Sequence, residues 1–163
     1  MELNKDIESQ KKLASQWFKS LRDDFCKSFE KLDHKKFSRK SWNHKGEGGG
    51  EMSVMRGDVF EKVGVNISTV SGEFSEDYRS QVKGTQGSPK YWATGISLVA
   101  HMMSPKIPAF HFNTRFLVTQ DSWFGGGTDM TPTFENEEDT NFFHSSLKGC
   151  LLYTSPSPRD TSS

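Results

Sequence analysis

Cysteine is scarce in this chain: Cys26 and Cys150 are the only two among 163 residues. They form no CxxC metal knuckle and no disulfide framework, which points to a reducing compartment. There is no surplus of charge either. Lys and Arg number 21 against 21 Asp and Glu, and no basic patch argues for nucleic acid. Apolar residues make up 33%, low for a globular domain, and the deficit gathers in a polar front end and a polar tail. No apolar run approaches the ~20 residues of a membrane span. The opening MELNKDIESQKK lacks the apolar core of a secretion signal. There is no internal repeat. These absences lead us to expect one domain with a core of ordinary size, cytoplasmic, with no membrane span and no nucleic-acid partner.

What is present begins with a helical pattern. Residues 4–32 carry Leu13, Trp17, Leu21, Phe25 and Phe29 at four-residue spacing, flanked by Ala14, Phe18 and Leu32. That period predicts an amphipathic helix packing this stripe on the body. Residues 33–51 are basic and then Gly-rich, and read as a loop that Trp42 could anchor. GEGGG is not a phosphate loop, because no Gly-Lys-Ser/Thr follows. From Met52 the period becomes two. Ser53–Arg56 and Val59–Thr69 read as strands joined by a turn at Gly57-Asp58. Residues 71–90 read as a long loop, Trp92–Met102 and Phe110–Val118 as strands, and Asn136–Lys148 as a short helix. Pro105 and Pro108 exclude a regular element between the last two strands. The pattern is α+β, strand-rich in the middle with helices at both ends.

Alternation then sorts the side chains. Along Phe110–Val118, Phe110, Phe112, Thr114, Phe116 and Val118 share a greasy face. His111, Asn113 and Arg115 share the other, at steps of about 7 Å. Ser97, Val99 and His101 share a face of the preceding strand. An antiparallel pairing would gather Ser97, His101, His111, Asn113 and Arg115 on one polar surface. Such a surface is either a solvated sheet face or a site for carboxylate-bearing ligands, which a guanidinium grips as a fork. His101, His111 and His144 are candidates for a three-histidine metal site, although no HxH or HExxH spacing marks one. In Trp123-Phe-Gly-Gly-Gly-Thr-Asp-Met-Thr-Pro132, three glycines signal a place where backbone comes close or room is needed. Asp129 there is either a turn cap or an acceptor facing that room.

Glu61-Lys-Val-Gly-Val-Asn-Ile-Ser-Thr-Val70, Gly95-Ile-Ser-Leu-Val-Ala-His101, Pro108-Ala-Phe-His-Phe-Asn-Thr-Arg115 and Trp123–Pro132 occur in one order and spacing. In this the chain resembles the oxygen-dependent coproporphyrinogen III oxidases, over roughly residues 10–149. The resemblance implies a large antiparallel β-sheet flanked by helices, truncated here, and a homodimer. It implies oxidative decarboxylation of two propionates of coproporphyrinogen III to vinyl groups, giving protoporphyrinogen IX in heme synthesis. Molecular oxygen is the oxidant, with no organic cofactor. By the same resemblance Ser97, Asn113, Thr114 and Arg115 bind substrate, and His111 is the proton donor. Asp129 holds pyrrole N–H groups, and His101, His111 and His144 are ligands where a divalent metal ion is used. The chain departs from the family pattern at His101-Met-Met-Ser-Pro105, where His-Pro-x-Asn-Pro is usual, and at Ser122, where a Trp is usual. The first departure keeps open a tetrapyrrole carrier without catalysis. A hydrolase built on the three histidines lacks a carboxylate at recognisable spacing.

Family members continue well beyond this point, whereas here the chain turns into Cys-Leu-Leu-Tyr-Thr-Ser-Pro-Ser-Pro-Arg-Asp160. That string resembles translation of a transposon-type sequencing adapter. The expectation is that 1–149 are the N-terminal part of a single oxidase domain. Residues 150–163 are then a non-native tail, disordered by composition, and the fragment by itself is inactive.

Overall fold

A computed structural model describes residues 2–154, with side-chain surroundings for 6–150. Helix α1 spans Glu2–Asp33. Strands β1 (Ser38–Asn43), β2 (Glu47–Met55) and β3 (Phe60–Glu73) follow. The four-residue helix α2 (Glu76–Arg79) precedes β4 (Lys90–Met102), β5 (Ala109–Val118) and β6 (Ser122–Thr131), and α3 (Glu137–Thr154) comes last. The strands form one sheet in the order β1-β2-β3-β4-β5-β6. Each neighbour pair is antiparallel, so the sheet is a meander. This bears out the α+β reading with a large antiparallel sheet.

Helix α1 lies across β3 and β4. Beneath it sit Met55, Val63, Val65, Leu98 and Ala100, all buried. The helical period was legible but its phase was not. Leu13 and Trp17 are 62% and 60% exposed, while Phe18 is 1% exposed. The packing face runs through Ala14, Phe18, Phe25, Cys26 and Phe29, because the pleat offers its apolar rows there. Phe25 meets Phe112 and Phe29 meets Phe60 edge to face. Arg22, also on this side, pairs with Asp23 and with Glu51 of β2.

Three segments differ from expectation. Residues 38–43 and 47–51, read as loop, are β1 and the start of β2. The glycines there serve close approach. A Cβ on Gly49 would lie 2.2 Å from the Trp42 carbonyl oxygen, and one on Gly50 2.7 Å from the Trp42 ring. β3 runs on to Glu73, and the rest of the 71–90 loop is anchored by buried Thr85, whose hydroxyl donates to the Arg79 and Val82 carbonyls. Helix α3 continues past Lys148, so 150–154 of the tail expected to be disordered are helical, and 155–163 lie outside the described residues.

Asp33 ends α1 and fastens it to the β2–β3 turn. Its buried carboxylate accepts the backbone N–H groups of Asp58 (2.8 Å), Val59 (3.1 Å) and Phe60 (2.8 Å). A Cβ on Gly57 would lie 2.0 Å from Asp33 Oδ1, so only glycine admits the carboxylate. Burial pushes the Asp33 carboxyl up, but the three N–H groups outweigh it and hold the group below the usual carboxylate range. A depressed folded pKa means stabilisation that is present above the unfolded value near 4 and lost as pH falls through the folded value. Asp33→Ala will therefore lower the urea midpoint at pH 7 by more than a surface substitution does. The gap to wild type will narrow as pH drops below about 4, and a gap independent of pH would show that the carboxylate charge is not what holds the turn.

Candidate functional site

The face of the sheet opposite α1 carries polar side chains, and the strand register orders them into rows. One row runs Met52, Asn66, Ser97, Asn113, Gly127 across β2 to β6. The next runs Trp42, Gly50, Ser68, Gly95, Arg115, Gly125 from β1 to β6. A third holds Val99, His111 and Asp129. Directly opposed residues in a sheet share a face, so the rows lie side by side on one surface. A groove of about 350 Å³ opens there, with Trp42 at one side, Ser97 and Gly95 along its floor, and Asn113 and Arg115 at the other. Glycines in the second row keep the floor low.

The expected convergence of Ser97, His101, His111, Asn113 and Arg115 is what the pairing of β4 with β5 produces. Ser97, Asn113 and Arg115 are exposed, and their side chains make no hydrogen bond or ion pair among the described residues. A guanidinium, an amide and a hydroxyl standing together unpaired are groups that can donate to a carboxylate. Thr114 is not brought to this face. Its side chain lies toward α1, and its hydroxyl donates to the Gly125 carbonyl at 3.4 Å.

One row away, Asp129 Oδ1 lies 2.7 Å from His111 Nδ1, and His111 Nε2 lies 3.2 Å from His101 Nε2. The Thr131 hydroxyl donates to the same Oδ1 at 3.3 Å. A carboxylate only accepts, so His111 Nδ1 carries the hydrogen in this pair. In the neutral form of His111 the lone pair is then at Nε2, where a His101 N–H can donate to it. The result is a carboxylate–imidazole–imidazole chain on an accessible surface: the Asp129 side chain is 66% exposed and that of His111 34%. Such a chain fixes a tautomer and stores a proton between two nitrogens. Asp129 is thus a strand residue facing the open side, not a turn cap. Sequence reasoning placed it beside room but missed its bond to His111, because no local spacing reports a contact across 18 residues.

His144 lies on α3, against Phe143, and is not brought to His101 and His111. Among the described residues no group of three His, Cys, Asp or Glu gathers to hold a metal ion. An open zinc site takes three protein ligands, and the three expected histidines are not gathered: only His101 and His111 lie together, and they are joined to each other by a hydrogen bond.

The glycine run divides by face. A Cβ on Gly126 would lie 2.3 Å from the Asn113 carbonyl oxygen and 2.8 Å from Thr114 Cα. On Gly127 it would meet nothing within 4 Å, and on Gly125 only a Trp123 ring atom at 3.9 Å. One glycine is there for close approach, and two leave room above the sheet beside Asp129.

The family model described as coproporphyrinogen III oxidase matches residues 13–157. The oxygen-dependent coproporphyrinogen-III oxidases of Rickettsia felis and Rickettsia akari are each 53% identical over 156 residues, which cover 89% of this chain and 56% of the relative. That of Rickettsia typhi is 51% identical over the same span. The chain therefore spans about half the length of the curated relatives it matches. No helix among the described residues is long and apolar enough to cross a membrane. With the motifs on adjacent strands of one face and the family model covering most of its length, the chain belongs to the coproporphyrinogen III oxidase family.

Proposed function

We propose that the protein to which these residues belong is an oxygen-dependent coproporphyrinogen III oxidase. The observation that carries this reading is the unpaired Ser97–Asn113–Arg115 cluster one row from the Asp129–His111–His101 chain. The substrate is a flexible macrocycle with four carboxylates on its rim and four pyrrole N–H groups inside. Arg115, Asn113 and Ser97 grip a propionate. The macrocycle lies over Gly125 and Gly127, whose missing side chains leave it space. Asp129 Oδ1 is occupied by His111 and Thr131, so Oδ2 faces the pyrrole N–H donors.

Each decarboxylation breaks the bond between the carboxylate and its neighbouring carbon and releases carbon dioxide. The carbon next to the ring gives up a hydride equivalent, and a vinyl group remains. Oxygen takes that equivalent with one further proton and leaves as hydrogen peroxide. The protein's part is to orient the propionate and supply the proton. His111, fixed by Asp129 and fed by His101, is placed to do so. His101 Nε2 and His111 Nε2 are also the nitrogens a divalent ion would find.

Incubating the full-length protein with coproporphyrinogen III and oxygen tests the reading. Two vinyl groups, two carbon dioxide and two hydrogen peroxide per substrate are expected. Tight binding without vinyl formation would instead make the protein a tetrapyrrole carrier. Arg115→Ala should raise KM and lower kcat, with kcat/KM down about 10- to 100-fold, the size of a lost charge-assisted hydrogen bond. Unchanged constants would remove Arg115 from the site.

The same reading takes the full enzyme as a cytoplasmic homodimer and residues 150–163 as read-through of an adapter. Light scattering on the full enzyme and the raw reads across codon 150 test those two points. The 163-residue chain should be catalytically inactive. It spans about half the length of its relatives, and among the described residues β1 and β6 end the sheet with edges that no strand pairs.

A further inference from the structure

We infer that Asn66 of β3 is a further ligand-contacting residue, extending the carboxylate-binding surface one strand beyond the residues to which the resemblance gives a substrate-binding role. This rests on the reading of the open face given above. Asn66 sits in the row Asn66, Ser97, Asn113, between Met52 and Gly127, and lines the same groove. Its place is unfavourable by every local measure. It interrupts the run Val63-Gly-Val-Asn-Ile67 with a residue poorly suited to strands. Its Oδ1 is shielded from solvent and has no hydrogen-bond partner, and no other group holds the amide. A buried unpaired acceptor destabilises a fold, and each one in a native structure calls for an explanation.

The fold supplies none. Asn66 caps nothing, bridges nothing and fills no apolar site. The Asn66 side chain lines the groove level with the Ser97 hydroxyl and the Asn113 amide, and its amide nitrogen has no hydrogen-bond acceptor among the described residues. Three neutral donors in a line, with the Arg115 guanidinium one row away, match a ligand edge carrying more than one carboxylate. The nitrogen of Asn66 is thereby assigned to a second carboxylate oxygen beyond the reach of Arg115.

Coproporphyrin III, the air-stable oxidised tetracarboxylate, serves as the probe. It is titrated against the 163-residue chain by quenching of tryptophan emission, with urea midpoints measured in parallel. Asn66→Ala should raise Kd about 5- to 10-fold, the size of one neutral hydrogen bond. Asn66→Asp keeps the shape but sets a carboxylate against a carboxylate, and should weaken binding further. Neither substitution should lower the urea midpoint, since the side chain holds nothing in place. A lowered midpoint in Asn66→Ala would make the residue structural and overturn the inference. So would wild-type affinity in Asn66→Ala and Asn66→Asp while Arg115→Ala binds weakly, which leaves the reading of the face intact. Absence of porphyrin binding by the wild-type chain would overturn that reading, and this inference with it.

Discussion

Asp129→Asn in the full-length enzyme is expected to keep the fold and lower kcat by about 10²–10³, the scale of a lost preorganised electrostatic group. The substitution preserves shape, and Asp129 is largely exposed, so the change in stability should fall within about 0.5 kcal/mol. What changes is the bond to His111. Asp129 Oδ1 accepts from His111 Nδ1 at 2.7 Å and thereby keeps the Nε2 lone pair facing His101. An amide can turn its NH2 toward His111 Nδ1. That favours the opposite tautomer, in which Nε2 carries the hydrogen and faces the Nε2 of His101 as donor rather than acceptor. The substituted residue also offers the pyrrole N–H groups a neutral oxygen in place of a charged one. Both losses act on turnover, and neither acts on the propionate contact proposed for Arg115. The expected signature is a large fall in kcat with KM little changed, measured as protoporphyrin formed at saturating substrate. An Asp129→Asn enzyme with wild-type kcat would reduce the carboxylate to a strand residue of no consequence.

Gly126→Ala and Gly127→Ala, adjacent and chemically identical changes, are expected to have opposite consequences. In Gly126→Ala the new methyl collides with backbone, the Asn113 carbonyl oxygen and Thr114 Cα. Backbone cannot swing aside as a side-chain tip can, so β5 and β6 must part. A loss of about 3 kcal/mol, the upper end of overpacking effects, is expected in urea unfolding of the 163-residue chain. In Gly127→Ala the methyl meets nothing within 4 Å. Stability should hold, or rise by about 0.4–1 kcal/mol because the unfolded chain loses freedom. That methyl stands beside Asn113 and Asp129 in the space proposed for the macrocycle, so KM of the full-length enzyme should rise. Equal destabilisation by both changes would mean the glycines are there only for the strand pair.

The polar face was legible early because alternation along Phe110–Val118 separates apolar from polar residues without reference to any other strand. The resemblance added residue roles in the same order along the chain. The glycine-rich stretch before Glu51 was misread as loop, and the Gly125–Gly127 run was given no element although it is a strand. Gly48–Gly50 and Gly125–Gly127 lack the side chains by which a strand announces itself, and their pairing is specified by partners such as Trp42 and Asn113. Helix α1 was placed correctly but rotated, since Leu13 and Trp17 continue the same four-residue stripe as Phe25 and Phe29. Only the curvature and width of the sheet beneath decide where an apolar stripe stops being covered.

The two faces of β5, the helix at the start and the presence of Arg115, Asn113 and His111 on one side follow from backbone geometry that every residue carries locally. Register is different in kind. That His111 meets Asp129, that Asn66 stands level with Ser97 and Asn113, that Thr114 turns away and that His144 stays apart all depend on which residue of one strand faces which residue of the next. A slip of one position would send each side chain to the other face. Hairpin lengths and the packing of α1 on β3 and β4 set that alignment, and they act on the whole sheet at once. The ingredients of the candidate site are therefore written along the chain, and their assembly, with Ser97, Asn113 and Arg115 beside the hydrogen-bonded Asp129, His111 and His101, is a property of the folded sheet.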